Sequence, residues 1–376
     1  MTERVQLALD TIAQRPTRGV PTMWVHIMEH AFIERLCGAR PGAYREDPVG
    51  VYLASQEAIG TCMIDQFIPT NPLTMGQAGY EGAERGPTTG AERITADGMP
   101  IDSPEAVVEH LERVELPRIR EAISAFDADR RVREILTAEA DRQRQFGPGI
   151  LKGGYGFVHF PCLRYFTYGY ANYFMAYALY PEVMEADFAL QADLALLNNR
   201  SAARAYAEGN LPGVYRLDHD MADSRGTLVD IRSLERIWFP HFARCLRPVA
   251  DAGVRLVWHC DGNLAAMVPR LLEAHVSGFQ GFQYECGMDY ESICRAKTPD
   301  GRRLLIVAGV SVTDTLPHGS PNDVKRELAW LVRNGPPTGL FLGVSSSVLP
   351  GVPWENIQAL VEALRHYRTE GRGEDF

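Results

Sequence analysis

Eight short strand-like runs alternate with longer helical patterns along the chain, and this alternation is the strongest constraint on its fold. The runs cover residues 22–28, 62–68, 154–160, 213–219, 254–260, 278–284, 304–310 and 338–344. Strands that alternate with helices are typical of parallel βα units, and eight such units favour a closed ring. The sequence therefore predicts an α/β protein with the architecture of a (β/α)8 TIM barrel.

One segment in the first half interrupts the alternation. Residues 81–150 contain a turn-rich stretch, GAERGPTTGAERITADGMP, followed by charged helical patterns. A connection of this length inside a barrel is typical of an accessory layer or a lid. We therefore expect one domain over residues 1–376 with an accessory helical insertion or lid at 81–150, a separate small domain being the alternative. The polar tail at 368–376 is expected to fray.

Composition limits the classes of partner. The chain of 376 residues is 45% hydrophobic and 23% charged, which suits a globular protein with a full core. Its 38 Lys+Arg against 48 Asp+Glu give a net charge of -10, so nucleic acid and anionic membranes are poor partners. The opening MTERVQLALD is charged where a signal peptide is apolar, and the seven cysteines form no CxxC pair. These features predict a cytoplasmic protein.

Polar residues gather where five of the predicted strands end. They are His159, the run Asp218-His219-Asp220, the pair His259 and Asp261, Glu285, and the serines at 345–347. In a barrel the carboxyl ends of the strands form the active-site face, so His159, His219 and Asp220 are candidate catalytic residues. Adjacent residues on a strand point to opposite faces, and we expect Asp220 to be the one that faces the substrate.

Three of these residues have the chemistry of metal ligands. His259 and Asp261 are two apart on an extended segment and share a face, and Glu285 follows the next strand. Imidazole and carboxylate donors of this kind suit a divalent metal with an open position. The alternative is a hydrogen-bonded network without metal, in which Asp261 caps the next helix.

Two aromatic stretches add candidates for substrate binding. The segment CLRYFTYGYANYF at 162–174 places Arg164 among aromatic rings, and WVHIMEH supplies Trp24 and His26. Rings beside an arginine suit a flat, anionic or aromatic small molecule. Such stripes also occur in ordinary cores, and both interpretations stay open.

From Asp218 onward the order of motifs resembles the uroporphyrinogen decarboxylase superfamily. The matching stretches are DHDMADSRGTLVD, PHFARCLRPVADAG, VRLVWHCDGN, ECGMD, VAGVSVTDTLPHGSPNDVKREL and VLPGVPWENIQALVEALRHY. The superfamily consists of (β/α)8 barrels and includes corrinoid- and zinc-linked methyltransferases. The resemblance implies this fold and a homodimer.

The resemblance also assigns individual residues. Tyr165 matches the decarboxylase tyrosine and Asp65 its aspartate, but the opening HIMEHAFIERLCG lacks the family's arginine motif. In the methyltransferase branch a His-x-Cys pair and a late Cys bind zinc. Here His259 matches the histidine, Asp261 stands at the first cysteine position and Ser346 near the last.

The resemblance therefore implies a methyltransferase-like enzyme that holds a metal, zinc by analogy, through harder His and carboxylate donors. A small O- or N-methyl substrate would give its methyl group to a corrinoid carried by a partner protein, or to another acceptor. One alternative is a cofactor-independent decarboxylase or lyase that uses Asp220 and Tyr165. The other is a catalytically silent binding barrel.

Overall fold

The computed structural model describes residues 2–75, 85–281 and 283–373. Short strands alternate with helices throughout these ranges. The strands are β1 (Met63–Ile64), β2 (Thr95–Ala96), β3 (Met99–Pro100), β4 (Leu151–Lys152), β5 (Val214–Asp218), β6 (Ala222–Asp223), β7 (Gly226–Thr227), β8 (Arg255–His259), β9 (Val276–Gln280), β10 (Leu305–Val310) and β11 (Leu340–Val344).

The helices cover much of the remaining chain. They are α1 (Glu3–Ile12), α2 (His30–Cys37), α3 (Ala43–Glu46), α4 (Pro48–Ile59), α5 (Pro104–His110), α6 (Leu116–Ser124), α7 (Ala128–Phe146), α8 (Tyr165–Tyr168), α9 (Tyr170–Leu179), α10 (Pro181–Gly209), α11 (Ile231–Ile237), α12 (Phe239–Asp251), α13 (Val268–Glu273), α14 (Tyr290–Arg295), α15 (Thr315–His318), α16 (Pro321–Asn334) and α17 (Trp354–Thr369). A π-helical turn at Leu111–Glu115 joins α5 to α6, and 3-10 turns lie at Asn71–Thr74 and Tyr284–Cys286. No helix in the described ranges has a stretch long and apolar enough to cross a membrane.

A five-stranded parallel sheet forms the centre of the second half, in the order β11-β10-β9-β8-β5. β1 and β4 form a separate parallel pair, while β2-β3 and β6-β7 are short antiparallel pairs. Almost every residue of the five central strands is buried, and α13 and α16 pack against β9 and β10. The predicted α/β class with a parallel sheet is confirmed.

Single parallel bridges connect these sheets at their edges. Thr22 bridges to Leu342 of β11, Met23 to Met63 of β1, and Gly154 to Tyr215 of β5. The amide of Met23 donates to the carbonyl of Leu342 at 2.7 Å, and the amide of Trp24 donates to that of Met63 at 3.0 Å. The segment at 22–23 thus lies between β11 and β1, and the segment at 151–154 between β1 and β5.

The third strand begins earlier than its sequence suggests. The apolar run at 154–160 predicts a strand that ends at His159, but the pairing residues are Leu151–Lys152 and Gly154. Beyond Gly156, which has a φ of +84°, the amides of Phe157 and Val158 both donate to the hydroxyl of Tyr215 and the chain leaves the sheet. His159 is therefore not at the end of a strand.

Residues 81–84 of the predicted insertion lie outside the described ranges. Most of the insertion that is described is helical. From residue 85 it forms the β2-β3 hairpin and the helices α5, α6 and α7. α7 packs against α10 and β4, so this helix belongs to the outer layer.

The first residues of the tail that was expected to fray, 368–373, are held by contacts. α17 continues to Thr369, and the guanidinium of Arg368 donates to the hydroxyl of Thr22 and the carbonyl of Ile59, both at 3.2 Å. Gly371 is also buried. The polar composition of 368–373 predicted fraying, but the contacts of Arg368 with Thr22 and Ile59 hold the start of this segment in place. Residues 374–376 lie outside the described ranges.

Candidate active site

The candidate site lies where β5 and β8 end side by side. The two strands are parallel neighbours, and Asp218 at the end of β5 pairs with His259 at the end of β8. Asp220 and Asp261 each stand two residues beyond, so both reach the same edge of the sheet. Sequence positions about 40 residues apart therefore meet because parallel strands end together.

Asp220, His259 and Asp261 form a compact cluster at this edge. One donor atom of each lies within 4.8 Å of the donor atoms of the other two. The Nε2 of His259 is 3.9 Å from Oδ1 of Asp261, and the amide of Asp261 donates to Oδ1 of Asp220 at 3.1 Å. The cluster is buried or half-buried.

The cluster has the properties of a cation site. Among the described residues, Nδ1 of His259 and Oδ1 of Asp261 are buried without a hydrogen-bond partner, and no Lys or Arg forms an ion pair with Asp220 or Asp261. Burial raises the pKa of Asp220, and the carboxylate of Asp261 adds to this effect. Two carboxylates and an imidazole without a counter-ion are a donor set that fits a divalent metal.

Neighbouring residues hold the donors in place. The hydroxyl of Ser346 donates to Oδ2 of Asp261 at 3.0 Å, which leaves Oδ1 directed toward the cluster. Gly281 has a φ of +79° and passes so close to His259 that a Cβ there would lie 2.7 Å from Nδ1. A side chain at this position would therefore displace the imidazole.

Glu285, the third ligand expected from the sequence, lies outside this cluster. Its Oε1 accepts from the hydroxyls of Ser311 at 2.8 Å and Thr313 at 2.6 Å, and Glu285 is exposed. The residue that joins His259 and Asp261 is Asp220, which the sequence assigned to catalysis. The reason is that the chain turns through a 3-10 segment at 284–286 after β9 and carries Glu285 to the neighbouring strand β10.

A small cavity lies over the ends of the strands, next to the cluster. Its lining includes three residues predicted to contact substrate, Trp24, His26 and Ser346, together with His259. The remaining lining residues are Gln66, Arg216, Gln280, Val344 and Ser347. The indole nitrogen of Trp24 and the side-chain oxygen of Gln280 are buried without a protein partner among the described residues, so both are free for a ligand.

His26 contributes a neutral imidazole to this cavity. Its Nδ1 lies 2.8 Å from the hydroxyl of Tyr52, and Nε2 lies 3.2 Å from the side-chain nitrogen of Asn71. Burial, with the nearby charge of Arg216, lowers the pKa of His26 to about 3. The ring is therefore uncharged at neutral pH.

An ion-pair network that the sequence analysis missed lies at the floor of the cavity. The guanidinium of Arg216 is 2.8 Å from the carboxylate of Asp65 and 3.4 Å from that of Asp218. The hydroxyl of Tyr155 donates to Asp218 at 3.0 Å. Arg216 and Asp218 are two residues apart on β5, so their side chains point to the same face. This spacing is the sequence signal that would have identified Arg216 as a residue of the site. Asp65 thus belongs to the cavity floor through Arg216.

His219 and Tyr165 support the site from the opposite side of β5. Nε2 of His219 accepts from the amide of Leu163 at 2.9 Å, and burial lowers the pKa of His219 to about 4. The hydroxyl of Tyr165 donates to the backbone carbonyl of Asp220 at 2.7 Å. Of the adjacent pair 219 and 220, it is Asp220 that reaches the cluster.

Two further candidates lie away from the cluster. His159 exchanges backbone hydrogen bonds with the side chain of Asn199 on α10. Arg164 pairs with Asp187 through two hydrogen bonds of 2.8 and 2.9 Å and with Glu115 at 2.8 Å. The guanidinium of Arg164 is thus neutralised within the helical layer. It lines neither the small cavity nor the wider cavity described next.

A second, wider cavity of about 850 Å³ opens on the outer side of the cluster. Asp220 and Asp261 line its floor, and Tyr170 and Phe174 of α9 form an aromatic wall. The aromatic segment at 162–174 therefore does reach the site, through residues beyond those singled out from the sequence. The cluster lies between a narrow polar cavity and a wide amphipathic one.

The fold and the site together define a class, that of α/β chains whose parallel strands end in a cluster of carboxylates and imidazole. Residues 219–367 match the family model of uroporphyrinogen decarboxylase (URO-D). The resemblance to this superfamily that the motifs indicate is thereby confirmed for this part of the chain.

Comparison with solved structures extends the likeness of the fold to the whole chain. A methyltransferase from Methanosarcina mazei is similar over 97% of this chain and 98% of its own, with a TM-score of 0.56 and 18% sequence identity. No curated protein matches the sequence.

Proposed function

We propose that this protein is a metal-dependent, methyltransferase-like enzyme of the uroporphyrinogen decarboxylase superfamily. The observation that carries the proposal is the cluster of Asp220, His259 and Asp261 at the open ends of two neighbouring parallel strands. The family match over 219–367 and the methyltransferase of similar fold agree with it. The parallel bridges at both edges of the central sheet support a closed (β/α)8 barrel around this site.

The three donors would hold a divalent metal, zinc by analogy with the superfamily. Such a metal, when bound, supplies a Lewis acid for the heteroatom that carries the methyl group. The protein's own residues would do the remaining work. Ser346 orients Asp261, Tyr165 fixes the backbone of Asp220, and Tyr170 with Phe174 would cover the apolar part of a small O- or N-methyl substrate. A corrinoid on a partner protein is the proposed acceptor, and a homodimer the proposed assembly.

The lyase alternative has weaker support. In that reaction Tyr165 would stabilise a carbanion-like centre, but its hydroxyl already donates to the carbonyl of Asp220. Among the described residues that line the narrow cavity, Arg216 is the one cation, and two carboxylates neutralise it. A silent binding barrel would need no cluster of uncompensated carboxylates, so the metal assay also tests that alternative.

Metal content is the direct test of the ligand set. The protein purified without chelator should contain about one divalent metal per chain by elemental analysis. His259→Ala, Asp261→Asn and Asp220→Asn should each reduce this content at least tenfold, because the first removes a donor atom and the other two remove a carboxylate charge. Glu285→Gln should leave it unchanged, since Glu285 bonds to hydroxyls outside the cluster. Asp193→Asn on the surface of α10 is the matched control. If Asp220→Asn keeps its metal and Glu285→Gln loses it, the ligands would be His259, Asp261 and Glu285, as expected from the sequence.

The reaction itself is tested with a surrogate acceptor. Metal-loaded protein, cob(I)alamin and a panel of O- and N-methyl compounds should form methylcobalamin, which is followed by its absorbance. The signal should disappear in His259→Ala. Release of carbon dioxide from a carboxylic substrate without metal would favour the lyase instead.

A further inference from the structure

A separate large cavity lies at the opposite end of the strands. It has a volume of about 1430 Å³ and is bounded by α1, α7, β4, the residues just before β5 and the first residue of β8. Arg255, which lines it, is the first residue of β8, whereas His259 of the candidate active site is the last. A strand of this length separates its ends by about 13 Å. This amino-end cavity is therefore distinct from the proposed catalytic site.

Basic side chains outnumber acidic ones in the lining of the amino-end cavity, in a protein of net charge -10. In the described part of its lining there are five basic side chains and one acidic side chain, namely Arg15, Arg144, Lys152, Arg255 and Arg302 against Glu139. Four of the five have carboxylate partners: Lys152 pairs with Glu139 at 3.1 Å, Arg15 with Asp10 at 2.8 Å, Arg302 with Asp300 at 2.7 Å, and Arg144 with Asp141. Arg255 is the exception within the described part of the chain.

Arg255 is a buried cation that forms no ion pair with any described carboxylate, and Asp300, whose charge reaches it, is paired with Arg302. It is 7% exposed, and one guanidinium nitrogen donates to the backbone carbonyls of Ser277, at 3.1 Å, and Arg303. Its Nε has no hydrogen-bond partner, and no described carboxylate lies within ion-pair distance. Burial, with the neighbouring charge of Arg302, lowers the pKa of Arg255 to about 10, so the group still carries its charge at neutral pH. A buried charge of this kind is stabilised by an anion.

The rest of the lining is mostly apolar. Leu9 and Ile12 of α1 face Leu136 of α7 and Leu211 after α10 across the cavity. An apolar wall beside a guanidinium that lacks a partner suits a ligand with an apolar body and an anionic head.

We propose that the amino-end cavity binds a small amphipathic anion, a carboxylate or phosphate on an apolar body, with its head group at Arg255. The apolar body would lie between α1 and α7. Charge complementarity favours this occupant over a neutral ligand. The proposal is independent of the metal site and of the proposed methyl transfer.

Calorimetric titration of the full chain with three probes tests the head group. Octanoate and octyl phosphate carry the two anionic head groups, and 1-octanol has the same apolar body without charge. We expect either anion to bind at least tenfold more tightly than 1-octanol. The tighter of the two anions identifies the head group.

Two pairs of variants locate the binding. Arg255→Gln should weaken binding of the anion about tenfold, whereas Arg255→Lys should keep it within about threefold. Because Arg255→Gln could disturb the start of β8, Ala140→Glu serves as a second variant. Ala140 is exposed on α7 and lines the cavity, so a glutamate there repels the anion without removing a contact. Ala140→Gln is its control of equal size and should bind as the unmodified protein does.

Three results would overturn the proposal. They are no binding of either anion, equal affinity for octanoate and 1-octanol, or an affinity that neither Arg255→Gln nor Ala140→Glu changes. Sedimentation of the same proteins tests whether a second copy of the chain occupies the cavity instead. An oligomer that Ala140→Glu dissociates, in a protein that binds no anion, would make this face an interface between copies of the chain and equally overturn the proposal.

Discussion

Individual side chains at the site differ most in what neutralises them. Arg216 has Asp65 and Asp218 beside it, whereas Asp220 and Asp261 have, of the groups the structure describes, only the imidazole of His259. The charges at the cavity floor are thus balanced by ion pairs, whereas the described residues supply no cation that balances the two carboxylates of the cluster. This contrast at the residue scale is the reason for placing a metal at the cluster.

Glu327 provides a residue-scale prediction of pH dependence. Its carboxylate on α16 accepts from the amide of Ser311 at 2.7 Å, and burial raises its pKa to about 7 from 4.5. The folded state then holds a proton that the unfolded state releases, so stability falls as pH rises between about 4.5 and 7. The loss is about 3 kcal/mol. Glu327→Gln keeps the acceptor oxygen, and denaturant unfolding at pH 5 and 7.5 should show a smaller pH dependence for this variant.

The control for this prediction is Glu121→Gln, an exposed glutamate of α6. It should follow the unmodified protein at both pH values. If Glu327→Gln and the unmodified protein lose the same stability between pH 5 and 7.5, the carboxyl of Glu327 does not titrate in this range.

At the scale of elements, buried ion pairs hold the aromatic segment that borders the site. Arg164, which directly precedes α8, pairs bidentately with Asp187 of α10, and Asp187 is fully buried. This pair connects the long helix α10 to the segment that carries Tyr165 and Tyr170. Arg164 therefore acts on the site through the position of these rings.

Removal of the buried partner should be costly. Asp187→Ala leaves the guanidinium of Arg164 with one carboxylate in place of two, and we expect it to reduce the free energy of unfolding by about 3 kcal/mol. Asp193→Ala on the same helix removes an exposed pair with Arg244 and should cost about 0.5 kcal/mol. Thermal or denaturant unfolding of the two variants measures the difference. Equal losses would mean that the buried pair contributes no more than a surface pair.

At the scale of the whole molecule, the proposed barrel depends on a few single bridges. The central sheet has five strands, and the segments at 22–23 and 151–154 would close the ring through backbone hydrogen bonds at its edges. Closure would remove both exposed sheet edges. It would also bring Trp24 and His26 to the same end as the cluster, where they line the narrow cavity.

Hydrogen exchange tests this closure. The amides of Met23 and Trp24 donate across the two seams at 2.7 and 3.0 Å. In a closed barrel they should open only in the global transition, so their protection should lie within about tenfold of that of Trp258 in central β8. Exchange at the rate of exposed loop amides would show that the ring is open at this point.

Sequence pattern predicted the parallel sheet well because its evidence is local. Mostly apolar runs such as 254–260 and 304–310 are observed as β8 and β10 to within a residue or two, since a strand buried on both faces is largely apolar. The start of α16 at Pro321 has an equally local cause, the capping box formed by Ser320 and Asp323. The strand prediction for 154–160 was wrong because the glycines of this run and the hydroxyl of Tyr215 redirect the chain. Neither effect is visible in a local pattern.

The sequence by itself determined which residue types stand near the ends of the strands, and thus His259 with Asp261, since both follow directly from a buried strand. Only the tertiary structure decided that Asp220 rather than Glu285 completes the cluster, that Arg164 is neutralised by Asp187, and that Arg216 lies at the cavity floor. The physical reason is that the direction of a side chain beyond a strand end depends on turns and on counter-ions from distant segments. Those partners come together only when the sheet forms.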